Sequence, residues 1–300
     1  MIITTNTTEH CAQITVKSAL HYHESEMPCH WDVNVYRGCG HGCKYCFAQY
    51  SHDYMQAGDF FGNIMVKTNV AQVLDKELSK RSWKKLRINL SGVTDPYQPA
   101  EADFMLMPGV LKVLIRHRNP VVLTTKSSLI FRDIELLREL ASVTSVSIGS
   151  SITMMDENLR QLIEPGASPA LERFRLLEAC KQAGCRVNIL LTPVLPLITD
   201  NMENLDEIYM RAAEIRVNGV SPWPLNLRGS TKERFMGFLS LHFPDLLPGY
   251  RQIFQGWRIS KAYEEELRRK VLFLRDKYRI PEITLPQLEQ ANHYIQLDLF

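Results

Sequence analysis

Three hundred residues with 45% hydrophobic and 23% charged content match an ordinary soluble globular chain, long enough for one large α/β domain or two small ones. No apolar run approaches the ~20 residues that cross a bilayer, and the polar N-terminus is no signal peptide. Seven cysteines are an odd number for a disulfide scaffold, and the net charge of +2 neither demands nor forbids a nucleic-acid partner, so a cytoplasmic protein with free thiols is expected.

Residues 1–28 are polar and weakly patterned and read as an N-terminal arm. Over 29–225 short apolar runs alternate with helical periodicity, the pattern of βαβ units on a parallel sheet. Strands are expected at 33–36, 86–91, 121–125, 143–148, 187–191 and 219–222, with helices at 70–81, 104–117, 134–140, 156–162, 169–183 and 203–215. Gly184 is placed to end the helix at 169–183. This order predicts an α/β fold, an open, TIM-like partial (β/α)6 barrel. Its right-handed connections bring every strand's carboxyl end to one face, where sites gather. Past 225 the strands stop, and helices at 231–241, 246–254 and 261–278 form an extension over 226–290 that packs against the open side of the barrel or caps its mouth. Pro224, Pro244 and Pro248 act there as breakers. In the last helix Glu264-Glu265-Glu266 precedes Arg268-Arg269-Lys270, which reads as a solvated face with i,i+4 ion pairs. Residues 291–300 are a tail.

The distinctive blocks fall at or just after strand ends. Cys39, Cys43 and Cys46 follow the first strand, in the spacing C-x3-C-x2-C. Three thiolates on one loop can hold three irons of a cubane cluster and leave the fourth without a protein ligand. An open coordination site is where metal chemistry happens. The alternative is zinc, with a fourth ligand from His41, His52 or Cys29, although the chain has no second C-x2-C or H-x3-5-H pair. Thr94, Asp95 and Tyr97 follow the second strand, where Asp95-Pro96 also suits a turn. Glu101, shortly afterwards, suits a substrate contact or a cap on the next helix. Lys126 follows the third strand and Ser151 the fourth. Arg173 reads as an ordinary helix arginine, and Cys180 and Cys185 as buried structural thiols at the opposite face.

The run Cys39-x3-Cys43-Lys44-Tyr45-Cys46 resembles the signature of the radical S-adenosylmethionine (SAM) superfamily. Asn34-Val35-Tyr36-Arg37-Gly38-Cys39, Gly92-Val93-Thr94-Asp95-Pro96-Tyr97-Gln98-Pro99-Ala100-Glu101, Thr125-Lys126-Ser127, Ser151-Ile152-Thr153 and Leu162-Ile163-Glu164-Pro165-Gly166-Ala167 resemble the branch related to spore photoproduct lyase, often labelled DNA repair photolyase-like. The similarity spans 31–224 in order. It implies a [4Fe-4S] cluster on Cys39, Cys43 and Cys46 and SAM bound at the open iron. One electron from a donor such as flavodoxin or ferredoxin then cleaves SAM to a 5′-deoxyadenosyl radical that abstracts a hydrogen atom. It further implies Tyr45 beside the adenine and Lys126 and Ser151 on the SAM carboxylate. Thr94 or Asp95 is expected at the SAM ammonium, because the usual glycine-rich acidic motif is not evident. Spore photoproduct lyase uses a separate cysteine as hydrogen-atom donor. The matching stretch, 86–94, has none, so Tyr97 is the candidate substitute and the thymine-dimer reaction itself is not expected. The competing expectations are a clamp-associated accessory protein with a structural metal and a radical enzyme acting on RNA or a small molecule.

Gln296-Leu297-Asp298-Leu299-Phe300 resembles the peptide by which bacterial replication and repair proteins dock on the polymerase sliding clamp. A free tail would place Leu299 and Phe300 in an apolar pocket with Gln296 at its rim. Clamp docking would make DNA the expected substrate. Trp83-Lys84-Lys85 and Arg268-Arg269-Lys270 are then candidates for phosphate contacts or plain solvated surface.

Overall fold

A computed structural model of the chain describes residues 11–24, 29–55 and 58–282. The tail with Gln296–Phe300 lies outside the described residues.

Six parallel strands stand side by side in chain order: β1 (Trp31–Asp32), β2 (Ile88–Asn89), β3 (Val121–Thr125), β4 (Val146–Ser151), β5 (Arg186–Val194) and β6 (Gly219–Pro224). The short strand His21–Tyr22 runs antiparallel beside β1 and ends the sheet on that side. β1 and β6 are not paired with each other, so the structure is the partial barrel expected and not a closed one. The face of its strands turned to the helices is apolar and covered: Ile88, Leu123, Ile148, Val187, Ile189 and Leu191 have no exposed surface, while alternate positions such as Thr124, Ser147 and Asn188 are half-buried. Each such side chain contributes about 1.5–3 kcal/mol of burial.

The crossover helices make the outer layer. α1 (Val70–Leu78) packs on α2 (Leu106–His117), α2 on α3 (Ile134–Val143) and α3 on α4 (Ala170–Gln182), followed by α5 (Met202–Glu214). Gly184, at φ +92°, ends α4, and the Cys185 N–H closes back on the Cys180 carbonyl at 3.0 Å. The buried Glu101 carboxylate accepts from the Leu106 and Met107 N–H groups at 3.0 Å each, which caps α2, and also from Arg132 and the Tyr36 hydroxyl. Glu101 therefore belongs to the scaffold.

The expected strand at 33–36 divides. Trp31–Asp32 belongs to the barrel sheet, whereas Tyr36–Arg37 pairs with Ile64–Lys67 in a second, smaller sheet. The Val33 N–H reaches Asn89 in the first sheet and the Val35 carbonyl accepts from Lys67 in the second, so the segment bridges them. Part of the segment read as an arm is tied into the same structure: Cys11–Ile14 pairs with Ile64–Lys67, and Glu77 accepts from the N–H groups of Ala19 and Leu20.

Two helices of the extension, α6 (Thr231–His242) and α7 (Leu247–Ile253), place Phe235, Leu239 and Tyr250 in one apolar cluster with Cys43, Tyr45 and Met154. They stand against the cysteine loop. α8 (Lys261–Lys277) lies on α5, anchored by Tyr263 donating to Asp200 at 2.8 Å and by Lys277 on Asp206 at 2.6 Å. Its charge run is exposed, with Lys270 on Glu266. Among the described residues no helix is long and apolar enough to cross a membrane.

Candidate active site

The loop Gly38–Cys46 leaves the second sheet at the barrel's carboxyl face. Gly38 sits at φ +82°, and a Cβ there would lie 2.7 Å from the Asn63 carbonyl oxygen, so only glycine fits. Cys46 is extended and opens the turn Phe47–Gln49, which continues into the helix Tyr50–Met55. The backbone N–H groups of Ala48 and Gln49 favour the Cys46 thiolate, and those of His41 and Asp95 favour the Cys39 thiolate.

Two segments grip the loop from either side. After β2, the Thr94 hydroxyl and the Gln98 amide donate to the Gly38 carbonyl at 2.6 and 3.0 Å, and the Gly40 N–H donates to Gln98 at 2.8 Å. Asp95 is the knot. Its Oδ1 accepts from the Tyr97 N–H at 2.9 Å and the Thr125 hydroxyl at 2.7 Å, while its Oδ2 accepts from the Lys126 N–H at 2.8 Å and His41 Nε2 at 3.0 Å. On the other side, past the helix Glu157–Ile163, Lys44 N–H donates to Ile163 and Gly166 N–H to His41, both at 2.9 Å, and His41 Nδ1 donates to Gly166 at 2.8 Å. A Cβ on Gly166 would stand 2.6 Å from the Gly40 oxygen. Gly166→Ala should therefore push the cysteine loop away and lower the unfolding free energy by about 1–3 kcal/mol, read from urea midpoints, with less iron retained on reconstitution.

Beneath the loop, the hydroxyl of buried Tyr45 donates to Glu164, and Glu164 pairs with Arg173 at 2.6 Å, all three nearly free of solvent. Arg173 also donates to the Ser168 and Ser151 carbonyls at 2.6 and 2.8 Å. Arg173 is thus no ordinary helix arginine. It turns the inner face of α4 into the counter-charge for a carboxylate under the cysteines. Lys126 points its ammonium over the Tyr45 ring, 5.8 Å from the centroid, and lies close enough to Cys43 and Cys46 to favour their thiolates. Among the described residues its ammonium has no carboxylate partner within ion-pair distance.

Burial raises all three thiols, Cys39 to about 12, Cys43 well above its usual value and Cys46 also upward. Buried thiols of this kind become thiolates when metal cations replace their protons. Backbone N–H groups that favour thiolate, a nearby ammonium and an apolar wall suit an iron–sulfur cluster. The zinc alternative fits less well. Both ring nitrogens of His41 are bonded, and Cys29 donates to the Arg87 carbonyl at 3.0 Å, where β2 begins, at the opposite end of the sheet. His52 uses Nε2 on the Asn63 carbonyl, and its buried Nδ1 has no hydrogen-bond partner. Among the described residues no three His, Cys, Asp or Glu side chains are placed for a single metal ion.

The sequence pattern of the Radical SAM superfamily matches residues 33–209. The chain belongs to the radical SAM superfamily. An uncharacterized protein of Mycobacterium tuberculosis is 36% identical over 96% of this chain and 87% of its own length. One from Acidianus two-tailed virus is 27% identical over 83% and 80%. Among solved structures, spore photoproduct lyase complexed with dinucleoside spore photoproduct has the same fold at a TM-score of 0.68, with 12% identity over 89% of this chain and 79% of that one. The same lyase, as a mutant with bound AdoMet, scores 0.67. As a radical SAM enzyme the chain uses a [4Fe-4S] cluster and SAM.

Against that chemistry, several expected residues prove to be scaffold. Tyr97 is wholly buried, with its hydroxyl on Asp133 at 3.1 Å. Thr94 gives its hydroxyl proton to the cysteine loop at Gly38, and Asp95 is engaged by His41 of that loop, the Tyr97 N–H and the end of β3 at Thr125 and Lys126. The Ser151 hydroxyl donates to the Thr192 carbonyl at 2.7 Å, leaving no proton to offer a carboxylate. Two residues further on, the Thr153 hydroxyl is buried without a hydrogen-bond partner among the described residues. Trp83 packs edge-on against Trp31 and donates to Asn119, at the end of the sheet opposite the cysteines, so Trp83-Lys84-Lys85 takes no part in the site. The Glu164–Arg173 pair was not found by sequence reasoning, though a charged residue on the apolar stripe Ala170, Phe174, Leu177, Cys180 was its signal.

Proposed function

We propose that this radical SAM enzyme seats the SAM carboxylate on Lys126 and directs hydrogen abstraction at a DNA-derived substrate. The bound cluster and SAM supply the 5′-deoxyadenosyl radical; the chain's own groups place it. The observation that carries the reading is Lys126, a cation with no carboxylate partner among the described residues, poised between Tyr45 and the thiols. Tyr45 is held rigid by Glu164 and presents its ring as a flat wall for the adenine. The unpartnered Thr153 hydroxyl takes the carboxylate-donor role that Ser151 is too committed to fill. The nucleic-acid part of the reading is supported by the ordered motif resemblance and by a fold shared with a lyase complexed with a dinucleoside.

The test is anaerobic reconstitution, reduction and assay of 5′-deoxyadenosine, with deuterium transfer from a deuterated oligonucleotide as the second readout. Lys126→Met should raise the KM for SAM by about thirtyfold, the loss of roughly 2 kcal/mol from a desolvated charge pair. A KM unchanged in that variant removes Lys126 from the site, and deuterium that never leaves DNA removes the proposed substrate.

A further inference from the structure

Apart from the cysteine loop, the described residues carry one concentration of cationic and aromatic side chains that the reaction does not use. Trp257 stands in the two-residue turn of a hairpin, Phe254–Gln255 against Arg258–Ile259. The guanidinium carbons of Arg228 and Arg258 lie 4.5 and 4.6 Å from the centre of its ring. Both arginines are exposed, and among the described residues neither meets a carboxylate.

The hairpin is fixed relative to the active site through two links. Lys232 on α6 donates to the Gly256 carbonyl at 2.6 Å. At the head of the same helix, Arg234 and Ser230 bind Asp53 at 2.7 and 2.6 Å, on the helix that follows the cluster cysteines. Asp53 is thereby consumed and offers no free negative charge. That helix begins at exposed Tyr50, whose ring is stacked on exposed Phe47, 6.4 Å between centroids and 22° between planes. Phe47 is the residue after Cys46. Trp223, at the carboxyl end of β6, is 64% exposed.

We infer that this rim binds single-stranded nucleic acid, bases lying on the exposed Phe47–Tyr50 pair and phosphates on Arg228 and Arg258, whose guanidinium groups the half-buried Trp257 ring holds. An exposed aromatic face accepts any base, and a guanidinium without a carboxylate is a planar, permanent cation suited to phosphate. A duplex keeps its bases turned inward and cannot use the rings. An acidic peptide would use the arginines and leave the Phe47–Tyr50 pair idle. The inference deepens the proposed function by naming the form of nucleic acid presented to the same site, and it rests on that reading for its catalytic meaning.

The experiment is fluorescence anisotropy of the full, cluster-loaded chain, without reductant, with a labelled oligothymidylate about twelve nucleotides long. Saturable binding is expected, with a log–log salt slope of about −1.4 for two phosphate contacts on a single strand. Trp257→Ala and the double variant Arg228→Gln/Arg258→Gln should each weaken it about tenfold or more, while Trp257→Phe keeps most of it. Oligothymidylate bound more tightly than oligouridylate supports DNA as the source, and the reverse order supports RNA. The inference is overturned by absence of saturable binding up to about 100 µM, by duplex binding as tightly as the single strand, or by wild-type affinity in the Trp257→Ala and double-arginine variants with native circular dichroism. SAM cleavage is measured separately. Lost cleavage with intact binding sinks the catalytic reading alone, and intact cleavage with no binding sinks this one alone.

Discussion

Replacing Arg173 with methionine is expected to lower the unfolding free energy by about 3–5 kcal/mol, the cost of leaving a buried carboxylate without its counter-charge. The partner is Glu164, fully buried and 2.6 Å away, and the variant also strips hydrogen bonds from the Ser151 and Ser168 carbonyls. Adding Glu164→Gln removes the stranded charge while keeping an acceptor for Tyr45, so the double variant should recover part of the loss. A double-mutant cycle in urea should show a coupling of about 0.5–3 kcal/mol. Additive effects of the two single variants would show the pair is not a unit. The pH dependence follows from the same geometry. Burial alone would raise the Glu164 carboxyl, but Arg173, Lys126 and the Tyr45 hydroxyl hold it below its usual 4.5, and His41, Lys126 N–H and Thr125 do the same for Asp95 against 3.8. A depressed carboxyl gives its stability above the unfolded value and loses it as pH falls through the folded one. The wild-type chain should therefore be level in stability from about pH 5 to 8 as far as these two groups go, and weaken below about pH 4. In Arg173→Met burial prevails at Glu164 and lifts its carboxyl above the usual 4.5, so the contribution of this group changes sign: the variant should regain stability as pH falls through the raised value, where the wild type begins to lose it.

Cys43→Ala is expected to take cluster iron from about four atoms per chain to near none and to abolish reductive SAM cleavage. Cys43 is 6% exposed and walled by Tyr45, Met154 and the aromatic side chains of α6 and α7, so no water-borne ligand can stand in for its sulfur. Cys185→Ser is the matched control. That thiol is also pushed up by burial to about 12, yet it lies where β5 begins, at the far end of the barrel from the cluster loop. It should cost some stability and leave iron content, colour and cleavage unchanged. Retained iron and cleavage in Cys43→Ala would mean that the loop cysteines do not carry the cluster. Both proteins can be compared by iron assay, visible absorption and 5′-deoxyadenosine yield.

The parts of the fold legible in the sequence were those set by one-dimensional pattern. The helices at 134–140 and 203–215 and the strand at 121–125 are observed within a few residues, because apolar periodicity and a single buried face decide them. The strand at 33–36 was misplaced because Val33, Val35 and Tyr36 are buried alike, and a run buried on both sides carries no mark of which sheet it serves. At the site, the shared loop of the three cysteines was legible from spacing alone. The roles of Thr94, Asp95 and Ser151 were not, since a hydroxyl or carboxylate at a strand end looks the same whether it faces a ligand or ties down a neighbouring loop. Only the count of partners around Asp95 separates the two. The pairing of Glu164 with Arg173 was missed for a related reason. It spans α4 and the turn before it, and the place of Arg173 on an apolar stripe marks it as buried without naming its partner.

Every tie around Asp95 and Gly166 runs from one protein group to another. His41 takes part in both sets, so the two walls of the cradle are joined through a single ring, and a shift at either wall is felt at the other.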